Sequence, residues 1–364
     1  MADTVILGAG IVGVSTAYYL SKHQPGDTIH LVESSPELFA SASGNAGGFL
    51  ARDWFGTGVS SLAAVSFDEH KRLAELHDGA SKWGYSRSTS LSYTAASQTR
   101  GKKSQRGEDW LRYGTSRANA AAGCASDGFD GRGVLPPWLR CEDGDTVRPI
   151  GDDRTTAQVD PFKLCHFLLK QCLERGVHLS QPAKAIAIRK DVRDELSSVR
   201  IADTLSSTET DIPCTRLIIT AGFSPEIFSR VGGQIYVAGL NTDAIPLPKL
   251  ATEKPISQEA INELKKVAAK LLGPEGGAVD DLEVVREGLC FRPVTPYGTP
   301  IISRIDDEHL EEGIATRPGA AGGVFLAAGH GPWGISLSLG TGKVLAEMAQ
   351  VRRVSADVSS LVMW

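Results

Sequence analysis

The chain lacks what a membrane span, a nucleic-acid surface or a structural metal would require. No apolar run approaches the roughly 20 residues that cross a bilayer. Neither sign of charge is in excess. Lys and Arg number 38 against 43 Asp and Glu, the signs are interspersed, and the formal charge is −5. That balance offers no handle for nucleic acid or an anionic lipid surface. Cys124, Cys141, Cys165, Cys172, Cys214 and Cys290 show neither CxxC pairing nor zinc spacing, and no His/Cys/Asp cluster suggests a metal. Reduced thiols in a cytosolic protein are expected. The first strand-like run begins at Thr4, leaving no room for a secretory signal, and Leu361-Val-Met-Trp364 is not a peroxisomal tail. A cytoplasmic location is therefore expected. At 364 residues the chain exceeds one ordinary core, so two intertwined domains are anticipated.

What is present is concentrated near the start. Val5, Ile6 and Leu7 form a continuous apolar run, as in a parallel strand buried on both faces. Gly8, Gly10 and Gly13 follow, with Ile11 and Val12 between them, and an apolar helix pattern runs on to Leu20. Gly8 allows a tight turn, Gly10 lets the backbone approach a pyrophosphate, and Gly13 lets the helix pack close to the strand. The helix N-terminus offers unpaired N–H groups and a partial positive charge to phosphates. A second strand, Ile29-His-Leu-Val, ends at Glu33 and Ser34, about 20 residues beyond Gly13. An acid there accepts a ribose hydroxyl and disfavours a 2′-phosphate, so FAD or NAD is expected rather than NADP. The alternative is a glycine-rich turn in a different α/β protein.

Ser43-Gly44-Asn45-Ala46-Gly47-Gly48 comes after the second strand. Small residues let a backbone lie flat against a planar ligand or phosphate, and Ser43 and Asn45 can hydrogen-bond. Residues 60–78 read as an amphipathic helix carrying Leu62, Val65, Phe67, Leu73 and Leu76. Residues 97–135, rich in Ser, Gly, Arg and Ala, read as a surface insertion with a short helix near Asp109–Tyr113. Asp160-Pro161 opens another helix with the apolar stripe Leu164, Phe167, Leu168 and Leu173, and Gly176 closes it. Strand patterns follow at 184–189, 199–202 and 217–220, the last ending in Thr220-Ala221-Gly222. In open α/β sheets, ligands bind outside such strand ends. Gly232 to Ala238 reads as a strand of a second sheet. From Gly288, a run with Cys290, Arg292 and Pro293 reads as a strand that meets a turn with two prolines and Gly298. Finally Val324 to Ala328 reads as a strand. It leads through Gly329-His330-Gly331-Pro-Trp333-Gly334-Ile335-Ser336 into a long helix with Gly340, Thr341 and Gly342. That helix start is a second anion-friendly site.

In order and spacing these elements resemble the amino-acid-oxidase superfamily of flavoproteins, which includes D-amino-acid oxidase and dehydrogenase, glycine oxidase and sarcosine oxidase. The Gly44–Trp54 stretch is most similar to fungal members with no assigned reaction. The resemblance implies FAD and an α/β fold. A discontinuous Rossmann-like FAD-binding domain (1–58, 150–228 and 286–364) would be joined to an α+β substrate domain with an antiparallel sheet (59–149 and 229–285). It implies oxidation of a C–N bond in an amino acid or secondary amine by hydride transfer to flavin N5, with oxygen or another acceptor taking the electrons. Arg292 matches the arginine that forks onto a substrate carboxylate in glycine oxidase, a pairing that guanidinium geometry suits. Arg52, counted from Ser43, matches the carboxylate arginine of sarcosine oxidase and is a rival; either could instead be an ordinary ion pair. Cys290, with Val294-Thr295-Pro296, matches the cysteine bonded to the flavin in sarcosine and fructosyl-amine oxidases. It could equally be a small buried hydrophobe. His330 is expected to touch flavin rather than to act as a base. Tyr236, Tyr297 and Trp333 could line a substrate pocket or fill core. An NAD-dependent dehydrogenase and a non-catalytic flavoprotein with a scaffold or trafficking role are the other functions kept open.

Overall fold

The computed structural model describes residues 3–94, 136, 138–220, 228–230, 233–238, 245–272, 283–291 and 293–363. The 97–135 insertion, with its anticipated helix near Asp109–Tyr113, lies outside them, as do Ala221, Gly222, Gly232 and Arg292.

The chain opens with β1 (Thr4–Leu7), α1 (Ile11–Leu20) and β2 (Ile29–Val32). A one-turn helix α2 (Ala42–Asn45), β3 (Phe49–Ala51), the long α3 (Thr57–His77) and short α4 (Gly79–Trp83) follow. Next come β4 (Ser86–Arg87), β5 (Ser90–Thr94), β6 (Thr146–Gly151), β7 (Thr156–Gln158) and α5 (Pro161–Glu174). Then β8 (His178–Ser180), β9 (Ala183–Lys190), β10 (Leu196–Asp203), β11 (Glu209–Pro213) and β12 (Arg216–Thr220) lead to β13 (Phe228–Ser229) and β14 (Ile235–Tyr236). Helix α6 (Gln258–Leu271), β15 (Ile301–Ile305), β16 (Gly323–Ala328) and α7 (Gly334–Ala349) complete the described strands and α-helices.

Six strands form the central sheet in the order β15-β16-β12-β1-β2-β8. All neighbours are parallel except the edge strand β15, which runs antiparallel to β16. Alternate residues feed two cores, as the pleat requires. Ile6, Leu31, Ile218 and Phe325 face α1, α3, α5 and α7 in the main core. Val5, Val32, Leu217 and Val324 face the antiparallel sheet β11-β10-β9 through Leu196, Val199, Ile201 and Ile212. Smaller antiparallel sheets, β3-β7-β4, β5-β6 and β13-β14, stand apart from the parallel one. This is the expected mixture of a parallel nucleotide-type sheet with separate antiparallel sheets.

Asp160 caps α5 by accepting from the Lys163 N–H at 3.2 Å, Pro161 sits in its first turn, and Gly176 closes it at φ +91°. Its buried face is not quite the expected stripe. Leu164 and Leu168 are buried beside Cys165, Leu169 and Cys172, whereas Leu173 is exposed. On α3, Leu62, Phe67 and Leu73 are buried as expected, Val65 is half-buried and Leu76 is exposed. Helix α3 packs its buried face into the main core against α7. The expected domain boundary at residue 58 falls in the first turn of α3. No strand is found between Glu283 and Phe291, where the sequence suggests one around Cys290. No described helix is long and apolar enough to cross a membrane.

Candidate active site

The parallel strands carry their C-terminal ends to one edge, and the glycine turn after β1 lies there. Gly8 adopts φ +99°. A Cβ on Gly13 would lie 1.9 Å from the Gly8 carbonyl oxygen, so strand and helix meet only because that residue has no side chain. The Thr220 hydroxyl, at the end of β12, lies 3.1 Å from both the Leu7 and Gly8 carbonyls and braces the turn. Helix α1 begins beyond Gly10 without a side-chain cap of its own. The Ser43 hydroxyl reaches across from α2 and accepts the Ile11 N–H at 2.8 Å. Glu33 follows β2, and its two carboxylate oxygens accept the Ala9 N–H at 3.1 Å and the Ser35 N–H at 2.9 Å. The acid is thereby fixed beside the glycine turn with lone pairs left for a ribose hydroxyl. The Ser34 carbonyl accepts from the Thr204 hydroxyl. The donors and the glycine cradle fit the pyrophosphate and ribose of a dinucleotide.

From Ser43 the chain runs to a second helix start. Gly44, Asn45, Ala46, Gly47 and Gly48 lead into β3, whose Ala51 donates its N–H to the Ser336 hydroxyl at 3.0 Å, in the first turn of α7. The 43–51 run therefore joins the N-terminal turns of α1 and α7. Side chains distant in sequence hold it from outside. Arg230 donates to the Ala46 carbonyl at 2.9 Å, Arg286 to that of Gly44 at 3.1 Å, and Lys254 to that of Ala40. The Tyr236 hydroxyl donates to the Asn45 carbonyl at 2.8 Å, so this residue grips the loop backbone. Burial, with Arg286 nearby, pushes the Lys254 ammonium below its usual range. Nothing in the local sequence around 230, 254 or 286 marks these residues. Their partners are some two hundred positions away.

Before α7, Gly329 and Gly331 adopt φ +72° and +53°. Val294 bridges to His330 across an antiparallel pair, and the Gly331 N–H donates to the Pro293 carbonyl at 3.0 Å. The chain just after Arg292 is thus docked on the turn that starts α7. His330 is buried with Nε2 3.1 Å from the Thr341 hydroxyl, a packing role rather than that of an exposed base. Cys290 is half-buried and packs on the main core. Gly288 lies against Asn45, whose side-chain oxygen a Cβ would approach to 2.9 Å. Trp333 stacks near Phe55 (4.6 Å between ring centres) and edge-on to Trp54 (6.4 Å), while Gly334 and Ile335 are buried in the start of α7. Tyr297 is exposed. Arg52 is at the surface, forked onto Asp68 at 3.3 Å through both Nε and Nη2. In this arrangement its guanidinium is engaged by α3 rather than turned towards the helix starts.

Behind the site, α3 meets α7 and α1. His70 is fully buried, with Nε2 3.0 Å from the Ile335 carbonyl. A carbonyl can only accept, so the proton sits on Nε2. Burial holds this imidazole down at about 4, outweighing the carbonyl bond and neighbouring Glu69. Glu69 accepts from the Tyr19 hydroxyl at 2.7 Å, Arg72 at 2.6 Å and Lys343 at 2.9 Å. Burial raises its carboxyl, but those hydrogen bonds prevail and hold it at about 2.

The chain matches the family of FAD dependent oxidoreductases known as DAO over residues 3–248 and 226–348. It belongs to that family. A Schizosaccharomyces pombe protein named as an oxidoreductase is 27% identical over 409 aligned residues, covering 95% of this chain and 93% of its own. Glycine oxidase of Geobacillus kaustophilus superposes with a TM-score of 0.72 at 18% identity, covering 100% of this chain and 98% of that one. Iminodiacetate oxidase of Chelativorans sp. BNC1 gives 0.67 at 18% identity, with 99% and 98% covered. The protein is thus an FAD-dependent oxidoreductase with the fold of these oxidases.

Proposed function

We propose that the protein oxidises a C–N bond in an amino acid or secondary amine. The observation that carries this is the junction of two helix starts by the 43–51 run, with the Pro293–Val294 segment docked on the second of them. When bound, FAD supplies the hydride acceptor. The protein's own contribution is orientation, desolvation and electrostatics. The α1 turn, Glu33 and Ser43 would hold the pyrophosphate and ribose. The start of α7 would offer a partial positive charge to a flavin that becomes negative on reduction. Arg292 forks onto a substrate carboxylate; Arg52, engaged by Asp68, is the weaker candidate. The relatives that share this fold include oxidases of glycine and iminodiacetate, small amino acids with a carboxylate to fork.

Purified protein would be mixed without oxygen with a panel of amino acids and secondary amines while the visible flavin band is followed. Bleaching by one class supports the reading and names the class, and air then shows whether oxygen accepts the electrons. A yellow protein that no amine bleaches defeats it, and a colourless one that uses NAD replaces it. Cys290 as the point of covalent attachment is a further part of this reading. Acid precipitation that leaves all FAD in solution excludes it. Cys165, Cys172 and Cys214 are buried free thiols raised by that burial, which fits a reducing, cytoplasmic setting.

A further inference from the structure

We propose that Arg230 is a positioning residue for the flavin, acting through the Ala46–Gly48 backbone rather than by touching substrate. This rests on the FAD-binding part of the reading above and not on the identity of the amine. The β13–β14 hairpin, closed by the Arg230 N–H to the Gln234 carbonyl at 2.7 Å, presents Arg230 and Tyr236 together. Arg230 Nη2 donates to the Ala46 carbonyl at 2.9 Å and reaches that of Gly47 at 3.5 Å. Tyr236 adds the Asn45 carbonyl at 2.8 Å. Three successive carbonyls are therefore drawn to one side of the loop. A trans peptide points its N–H opposite to its C=O. Carbonyls held at 45, 46 and 47 turn the N–H groups of Ala46, Gly47 and Gly48 to the other side, the side a flavin spanning α1 and α7 would occupy.

Among the described residues the guanidinium has one acid within ion-pair distance. Asp160 lies 3.9 Å from Nη1, but that carboxylate already caps α5 and faces Lys163 as well. The Nε of Arg230 is buried with no hydrogen-bond partner among the described residues. A largely buried cation directly behind the loop favours negative charge on the flavin it supports. Arg230 thus does two separable things: its Nη2, held by the planar guanidinium between the Ala46 and Gly47 carbonyls, sets backbone direction, and its charge biases the flavin towards reduction.

Arg230→Met and Arg230→Lys would be compared with the wild type as holoproteins and after FAD removal. The readouts are FAD dissociation constant, shape of the visible band and flavin midpoint potential. Loss of a charge-assisted hydrogen bond predicts an FAD Kd about tenfold higher in Arg230→Met, with an altered band and a more negative potential. Arg230→Lys should keep most of the potential, because charge remains, yet share the weakened affinity, because the planar, pre-oriented Nη2 donor is gone. Arg200→Met, at an exposed ion pair with Asp211, should leave all three unchanged. Should Arg230→Met fail to fold, Tyr236→Phe and Arg230→Lys must each raise the FAD Kd at least about threefold. Wild-type affinity, spectrum and potential in folded variants overturn the proposal. None of these readouts needs substrate, so failure to oxidise amines leaves them intact. A wild type that takes up no FAD overturns both readings.

Discussion

Around Glu69, one carboxylate meets Tyr19, Arg72 and Lys343, so the positive groups there have an acid to answer them. Around the Ala40–Gly47 backbone, Arg230, Lys254 and Arg286 meet carbonyl oxygens instead. The residue types are the same and the partners differ. Where the cations converge on one buried carboxylate, they lock α1, α3 and α7 into a core. Where they converge on backbone oxygens, with Asp160 3.9 Å from Arg230, they hold a loop between the two helix starts. Cations on a buried carboxylate read as architecture, and cations on loop carbonyls as provision for a ligand.

The sharpest way to break the contrast is Glu69→Gln. Glu69 is buried although its partner Arg72 is half-exposed; removing its charge strands the Tyr19, Arg72 and Lys343 donors, and about 3 kcal/mol of stability should be lost. Thermal melting measures this, while FAD affinity well below the melting temperature should hold. Unchanged melting would deny the core its hub. Next in size is the response to acid. His70 is held at about 4 in the folded state against an ordinary 6.5 in the unfolded one. The unfolded chain then binds the extra proton across that window. Stability falls as pH drops from 6.5 towards 4, by about 3 kcal/mol in all. Glu69, held at about 2, adds a second loss only below about 4.5. Melting curves of wild type and His70→Gln between pH 7 and 4 separate the two, because the upper step should be smaller in the variant; His23, His30, His77 and His166, also held below their usual range by burial, contribute to both.

On the cradle side the signs of effect should reverse. Arg286→Met removes a donor to the Gly44 carbonyl. It should change melting of the FAD-free protein by no more than about 1 kcal/mol, while FAD dissociates measurably faster. A large stability loss with unaltered FAD release would erase the distinction. The smallest effect belongs to Arg52→Ala. Its pair with Asp68 is exposed, so stability should move by less than about 0.5 kcal/mol. If instead KM for the substrate rises tenfold or more with melting unchanged, Arg52 rather than Arg292 holds the carboxylate.

The nucleotide half was legible because its signals are local. Val5 to Leu7, the three glycines and Glu33 lie within one strand–helix–strand unit; a Cβ would press on a backbone oxygen at Gly8 and Gly13 and on the Ser43 hydroxyl at Gly10. The Asp160–Pro161 helix start was legible for the same reason. One miss was in packing. On α5 the buried thiols Cys165 and Cys172 serve as core hydrophobes in place of Leu173. Gly340 and Gly342 of the last helix admit neighbouring helices. A Cβ on Gly340 would lie 2.8 Å from Ser66 of α3, and one on Gly342 would lie 2.6 Å from Ser15 of α1. Arg230, Lys254 and Arg286 were illegible because their partners lie far away in sequence. Tyr236 was noticed as an aromatic, yet its hydroxyl is what counts.

The order of strands in the central sheet governs how the protein must be made. β1 needs β12, through Thr4 beside Arg216, and β12 needs β16, through Arg216 beside Gly323. At roughly 5–20 residues per second of synthesis, the first strand waits about ten seconds or more for its partner, and the sheet closes only when most of the chain has emerged. Until then the apolar run Val5–Leu7 has an unpaired edge. Newly made chains should depend on chaperones during that wait, and those that miss β16 should aggregate rather than fold in part.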